Sequence, residues 1–250
     1  MPETPCLSAP LRLSGTSNTR DLGGYPAADG RAVQSHQFLR SDAPVELPEE
    51  DLAALYDYGV RCVIDLRSPG EVRAMPCSLA GYRDVEYCGC PLSDQVHSDD
   101  GASAAEAFPE TMGKMYIGLL DRSGSTLAAA MRAILRHPED CVLFHCTAGK
   151  DRTGTLAMLL LQLAGVPDGD IVRDYAATEG YMLPWFEVQQ RLHASLGVLA
   201  PEHVFRSEPA NMEEALAHLH TVYGGAEGYL RHIGLDGAEI AALRQKLLGP

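Results

Sequence analysis

The segment FHCTAGKDRTG, Phe144 to Gly154, brings a thiol and a guanidinium into one short turn. Cys146 and Arg152 are separated by five residues, and two of these, Ala148 and Gly149, offer little side-chain obstruction. Five residues turned back on themselves can aim successive backbone N–H groups at one point, and the unpaired N–H groups of a following helix add to it. Thr147, Ala148, Gly149, Lys150 and Thr153 are therefore expected to line an anion cradle. Arg152 at its rim can hold two oxygens of a phosphate in a planar fork that a lysine does not reproduce. N–H dipoles, a helix start and a guanidinium all favour a thiolate over a thiol, so Cys146 reads as a nucleophile where a lone cysteine would read as core. The Thr153 hydroxyl either donates to that thiolate or bonds locally at the helix start.

A phenolate or alkoxide leaving phosphorus needs a proton donor near the bridging oxygen. Asp151, inside the cradle beside Arg152, is the nearest carboxyl and the preferred acid. Its alternative is a helix-start carboxylate held ionised by N–H groups. Lys150 is one of only three lysines against 17 arginines, and it either places a positive charge at the pocket or faces solvent. The cradle and Arg152 supply the charge that a divalent ion would bring, so neither metal nor cofactor is expected. The nine histidines show no ligand spacing. His218 and His220 cannot share a helix face, and His145 reads as orienting the cradle. A nucleotide-binding loop is excluded, because Asp151 follows Gly149 and Lys150 where Ser or Thr is needed.

The elements that must position these groups can be read around them. CVLFH, Cys141 to His145, has the length of a central strand, and Thr153 to Ala164 is too apolar for a surface, so it reads as a core helix whose first turn begins at Arg152. Upstream, Glu49 to Tyr58 reads as a short amphipathic helix stopped at Gly59, Val60 to Leu66 as a buried strand and Val85 to Leu92 as a second strand. Residues 93–106, acidic and rich in small side chains, read as a mobile loop. A helical run capped by Ser125 extends to Arg136, and from Asp168 helical segments alternate with Gly and Pro breaks. The expected class is α/β, a central and mostly parallel sheet flanked by helices, with a helical carboxy-terminal part over residues 168–250, all in a single domain spanning 1–250.

The chain has 250 residues and a net charge of −14, which argues against partners held by a basic face, nucleic acid and anionic membranes among them. Seven cysteines in no repeating spacing fit a reduced, cytoplasm-like compartment. The amino terminus lacks a signal-peptide pattern, and the longest apolar stretch, Leu156 to Leu161, is too short to span a bilayer, so no membrane insertion is expected. A non-classical secretion route would leave no mark of this kind, and nothing in the composition fixes an oligomeric state.

The segments NTRDLGGY (Asn18 to Tyr25), FLRSDAP (Phe38 to Pro44), DLRSPGEV (Asp65 to Val72), HCTAGKDRTG and YGGAEGYLRHIGL (Tyr223 to Leu235) extend over nearly the whole chain. Together they resemble the bacterial cysteine-dependent tyrosine phosphatase family that includes a secreted mycobacterial phosphatase and its listerial relative. The resemblance implies a protein tyrosine phosphatase-like fold and attack of the thiolate on phosphorus, giving a phosphocysteine that water hydrolyses. It implies action on phosphotyrosine, often with phosphoserine, phosphothreonine and phosphoinositides as further substrates. That family has an aspartate after a similar strand, which makes Asp94, in PLSD, the rival acid, a solvated loop residue otherwise. Asn18, Arg20, Asp21, Asp65 and Arg67 recur in family-like positions and are expected to tie the amino-terminal loop to the sheet. Three other readings compete: a sulfurtransferase or arsenate reductase, a non-catalytic module binding phosphorylated partners, and a phosphatase whose main substrate is a phosphoinositide.

Overall fold

The computed structural model of the chain describes residues 9–92 and 108–250. Asp94 and the stretch 93–106 lie outside the described residues. In chain order, β1 (Arg20–Asp21) and β2 (Phe38–Ser41) precede α1 (Glu49–Asp57), followed by β3 (Val60–Asp65), α2 (Pro69–Ala74) and β4 (Glu86–Gly89). Two consecutive helices, α3 (Met112–Arg122) and α4 (Gly124–Leu135), lead into β5 (Cys141–His145). After β5 come α5 (Asp151–Leu163), α6 (Asp168–Ser195), a short helical turn at Glu202–Phe205, α7 (Pro209–Tyr223), α8 (Ala226–His232) and α9 (Gly237–Leu248).

The strands form one sheet in the order β1-β2-β5-β3-β4, parallel throughout except for β1. This is the expected α/β class with a mostly parallel sheet, flanking helices and a helical carboxy-terminal part. All five residues of β5 are buried. Successive side chains of a strand point to opposite faces, so Val142 and Phe144 pack with the buried residues of α3, α4 and α5. Cys141 and Leu143 pack on the other face with Leu52, Leu55 and Leu79. His145 is in register with Ser41 of β2 and Asp65 of β3, so three parallel strands end level. Asp42, Cys146 and Leu66 thus leave the sheet at one carboxyl edge, where open parallel sheets place their ligand sites.

Helix α5 buries twelve of its thirteen residues, the apolar run from Leu156 to Leu161 and the polar first turn alike. It begins at Asp151, one residue earlier than read from the sequence. Helix α4 is capped at Ser123, not Ser125: the Ser123 carbonyl accepts from Leu127 N at 2.9 Å while its N–H donates to Leu119 O at 3.0 Å, so one residue closes α3 and opens α4. The breaks expected after Asp168 do not interrupt α6, which runs 28 residues through Gly180 and Pro184. Pro184 forfeits one backbone bond, but buried Tyr175, Thr178, Met182 and Phe186 on either side of it keep the helix packed. Strand β2 and helix α3 are elements the sequence reading did not contain. No helix among the described residues is long and apolar enough to cross a membrane.

Candidate active site

The loop between β5 and α5 owes its shape to what bonds its carbonyls from outside. Ala43 N donates to Thr147 O at 3.0 Å. Asn18 Nδ2 donates to Ala148 O at 2.9 Å and to Gly149 O at 3.3 Å, and Arg40 also donates to Gly149 O, at 2.6 Å. With those carbonyls drawn outward, the N–H groups of Thr147, Ala148, Gly149 and Lys150 make no hydrogen bond among the described residues. Gly149 adopts φ +67°, and a Cβ there would lie 2.5 Å from Ser41 O and 2.7 Å from Asp42 N, so only glycine lets the loop pass so close to β2. Cys146, 2% exposed, sits where the loop leaves β5.

Arg152, in the first turn of α5, is gripped by a carboxylate that the sequence reading did not single out. Its two terminal nitrogens donate to Glu71 at 2.7 and 2.8 Å in a fork-to-fork pair. Glu71 is itself fixed by the capping box of α2: Ser68 N donates to Glu71 Oε2 at 2.9 Å and Glu71 N to Ser68 Oγ at 3.3 Å. The Thr147 hydroxyl donates to the same carboxylate. The signal was present, since Ser68-x-x-Glu71 has the spacing of a capping box.

Asp151 accepts from Tyr116 of α3 at 2.7 Å and lies 3.4 Å from Lys150 Nζ. Among the described residues no backbone N–H donates to its side chain. Lys150 is not the solvent-facing lysine offered as one reading. It is 1% exposed, and its ammonium donates to Val204 O at 2.5 Å and Arg206 O at 3.1 Å, carbonyls at the turn after α6. The Thr153 hydroxyl, fully buried, makes neither of the bonds expected of it: among the described residues it has no hydrogen-bond partner.

His145 Nδ1 lies 3.1 Å from Cys146 O, and Nε2 lies 3.5 Å from the Asp65 carboxylate. Burial pushes the pKa of His145 down to about 4, outweighing the upward pull of Asp65, so the ring is neutral at physiological pH. Asp65 holds Arg67 through bonds of 2.9 and 2.7 Å, which ties two of the family-like residues to each other. Asn18 and Arg20 depart from the expectation that they tie to the sheet. Asn18 reaches the cradle, and Arg20 reaches Asp174 of α6 at 3.1 Å. Asp174 also pairs with Arg40, so one buried carboxylate joins β1, β2 and α6 behind the loop. Burial works against that charge, but the two guanidiniums overcome it and hold the Asp174 carboxyl below its ordinary range. Burial has the upper hand at Asp42, raising its pKa despite N–H donors from Ser17 and Asn18.

The cradle floors a cavity of about 530 Å³, with Cys146 and Arg152 in its lining and Met182, Trp185, Phe186 and Phe205 forming an apolar wall. A thiol and a guanidinium thus stand at the two ends of one loop, at the carboxyl edge of a parallel sheet, beside amides that make no hydrogen bond among the described residues. The chain belongs to the tyrosine phosphatase family, whose family model matches residues 11–249, and is a protein-tyrosine phosphatase. It is 34% identical to a tyrosine-protein phosphatase of Nostoc commune, over 89% of this chain and 78% of that protein. It is 28% identical to the triple specificity protein phosphatase PtpB of Mycobacterium tuberculosis, over 95% of this chain and 98% of that one. Among solved structures, P. aeruginosa TpbA in complex with phosphotyrosine matches with a TM-score of 0.46 at 13% identity, covering 94% and 99% of the two chains.

Proposed function

We propose that this phosphatase cleaves phosphotyrosine monoesters in proteins, with activity extending to phosphoserine and phosphothreonine, through a metal-independent phosphocysteine mechanism. The Cys146 sulfur attacks phosphorus as the bond from phosphorus to the leaving oxygen breaks, and Asp151 gives that oxygen a proton. Water then attacks phosphorus, the bond to sulfur breaks, and the Asp151 carboxylate takes the proton of the water. The amides of Thr147 to Lys150 receive the three equatorial oxygens, and Arg152, its plane set by Glu71, neutralises charge spread over them.

The observation that carries this reading is the polarity of the loop: its carbonyls are bonded from outside, and the amides of Thr147 to Lys150 are left without a hydrogen-bond partner among the described residues. The aromatic wall favours a phenyl ester. The ammonium of Lys150 is committed to two backbone carbonyls, so it is poorly placed to read a second phosphate of an inositol lipid, and phosphoinositides take second place. Turnover of p-nitrophenyl phosphate with EDTA present, for the wild type beside Cys146→Ser, tests the proposal. Activity is expected to survive the chelator and to vanish with the thiol, while phosphate still binds the variant. Activity lost to EDTA, or kept by Cys146→Ser, would refute it.

A further inference from the structure

Behind Asp151 lies a chain of buried hydroxyls that no part of the mechanism above uses. Tyr116 of α3 donates its single proton to Asp151 Oδ1 at 2.7 Å, and the Tyr116 and Tyr175 hydroxyls are 2.7 Å apart. Tyr116 has no second proton, so in that contact Tyr175 is the donor. Asn211 of α7 neighbours the Tyr175 hydroxyl. Its Oδ1 accepts from Gly113 N at 3.3 Å, and its Nδ2 makes no hydrogen bond among the described residues. Both hydroxyl protons therefore point toward Asp151. Burial pushes both phenols well above their ordinary pKa, so neither gives its proton up. The rings meet edge to face with centroids 5.7 Å apart, and both are at most 1% exposed, so neither hydroxyl can swing away to water.

Oδ1 of Asp151 thus accepts from Tyr116 and faces the Lys150 ammonium at 3.4 Å, whereas Oδ2 receives no hydrogen bond among the described residues, in a residue that lines the cavity. We infer that Tyr116, backed by Tyr175, fixes Oδ2 as the oxygen of Asp151 that carries the proton passed to the leaving group, which makes the two tyrosines positioning residues for the acid. The inference rests on Asp151 being that acid. A proton on Oδ1 would set two donors head to head, so the hydroxyl chain selects the other oxygen without touching substrate. In the second step the same selection leaves Oδ2 to receive the proton of the attacking water.

The test compares kcat/KM for phenyl phosphate, a poor leaving group, with that for p-nitrophenyl phosphate, a good one, in wild type, Asp151→Asn, Tyr116→Phe and Tyr175→Phe. A departing phenolate of high basicity depends on the acid and an activated one barely does. Tyr116→Phe is expected to lower the phenyl phosphate value about tenfold more than the p-nitrophenyl phosphate value, and Tyr175→Phe to do the same to a smaller degree. Orthovanadate binding, unchanged in each variant, shows that the cradle has survived. Equal losses on both esters in Tyr116→Phe, with Asp151→Asn still selective for the poor leaving group, would overturn the inference and leave the acid assignment standing. An Asp151→Asn variant that loses both esters equally would overturn the acid assignment itself. Should Tyr116→Phe fail to fold, Tyr175→Phe decides, since it removes only the outer hydroxyl.

Discussion

An alanine in place of Gly149 would force its Cβ to within 2.5 Å of a backbone carbonyl on a residue already at φ +67°. Backbone, unlike the end of a flexible side chain, has nowhere to go, so the loop itself would shift. Left-handed backbone costs a non-glycine residue about 1–3 kcal/mol, and a displacement of about 1 Å in a positioning group costs about 10²-fold in rate. Gly149→Ala is therefore expected to lower kcat/KM for an aryl phosphate about 100-fold or more, with a fall of several degrees in thermal midpoint. Activity near that of wild type would show that the approach of the loop to β2 does not shape the cradle. At this scale the sequence was most informative. Cys146 and Arg152 are at the two ends of one loop because a fixed five-residue spacing leaves a chain little choice. Glu71 and Tyr116 were not legible as site residues, because they reach Arg152 and Asp151 from 81 and 35 residues away, and Asp174 was not, because it acts on the loop only through Arg40.

The elements around the loop are joined by charge as much as by apolar packing. Asp174 is the only acidic partner that Arg20 and Arg40 have among the described residues, and all three side chains are buried. Asp174→Asn would leave two guanidiniums facing each other in a low-dielectric interior, a kind of change that costs about 3–5 kcal/mol. The variant is expected to unfold at markedly lower denaturant, and to lose activity because Arg40 also holds Gly149 O. A loss of stability under about 1 kcal/mol would mean that the pair of arginines is compensated elsewhere. These ties also explain where the reading of elements fell short. β2, FLRS, has no apolar alternation because Arg40 and Ser41 are buried for the sake of the site, and so it did not read as a strand. Helix α3 was within reach: Met112, Met115, Tyr116, Leu119 and Leu120 recur at helical spacing, but two glycines and no acidic first turn hid it. β3, β5 and α5 were legible, because continuous apolar runs of strand or helix length have few other uses.

For the whole molecule, three buried ionisable groups make stability rise with pH in the acid range. His145 titrates near 4 when folded and near 6.5 as a free side chain. Between those values the unfolded chain binds the extra proton, so stability rises with pH there and falls as the pH drops from about 6.5 toward about 4. The shift is worth about 3 kcal/mol. Asp65 and Asp174 have folded values below the ordinary one, so their contribution is complete above the unfolded carboxyl value near 3.9 and is lost only as the pH falls further, through their folded values. The resistance of the wild type to chemical denaturant is thus expected to fall in two stages as the pH drops, and His145→Gln to lack the first. Equal slopes for wild type and His145→Gln between pH 6.5 and 4 would contradict the assignment of a buried neutral imidazole.

Turnover by this mechanism requires a covalent bond between phosphorus and the Cys146 sulfur. Rapid denaturing quench during turnover of p-nitrophenyl phosphate, followed by intact-mass measurement and peptide mapping, tests it directly. The expected product is a protein heavier by one phosphoryl group, with the modification mapped to Cys146 and absent from Cys146→Ser. Turnover with no such species in a quench faster than kcat, or a phosphoryl group on any other side chain, would contradict this mechanism.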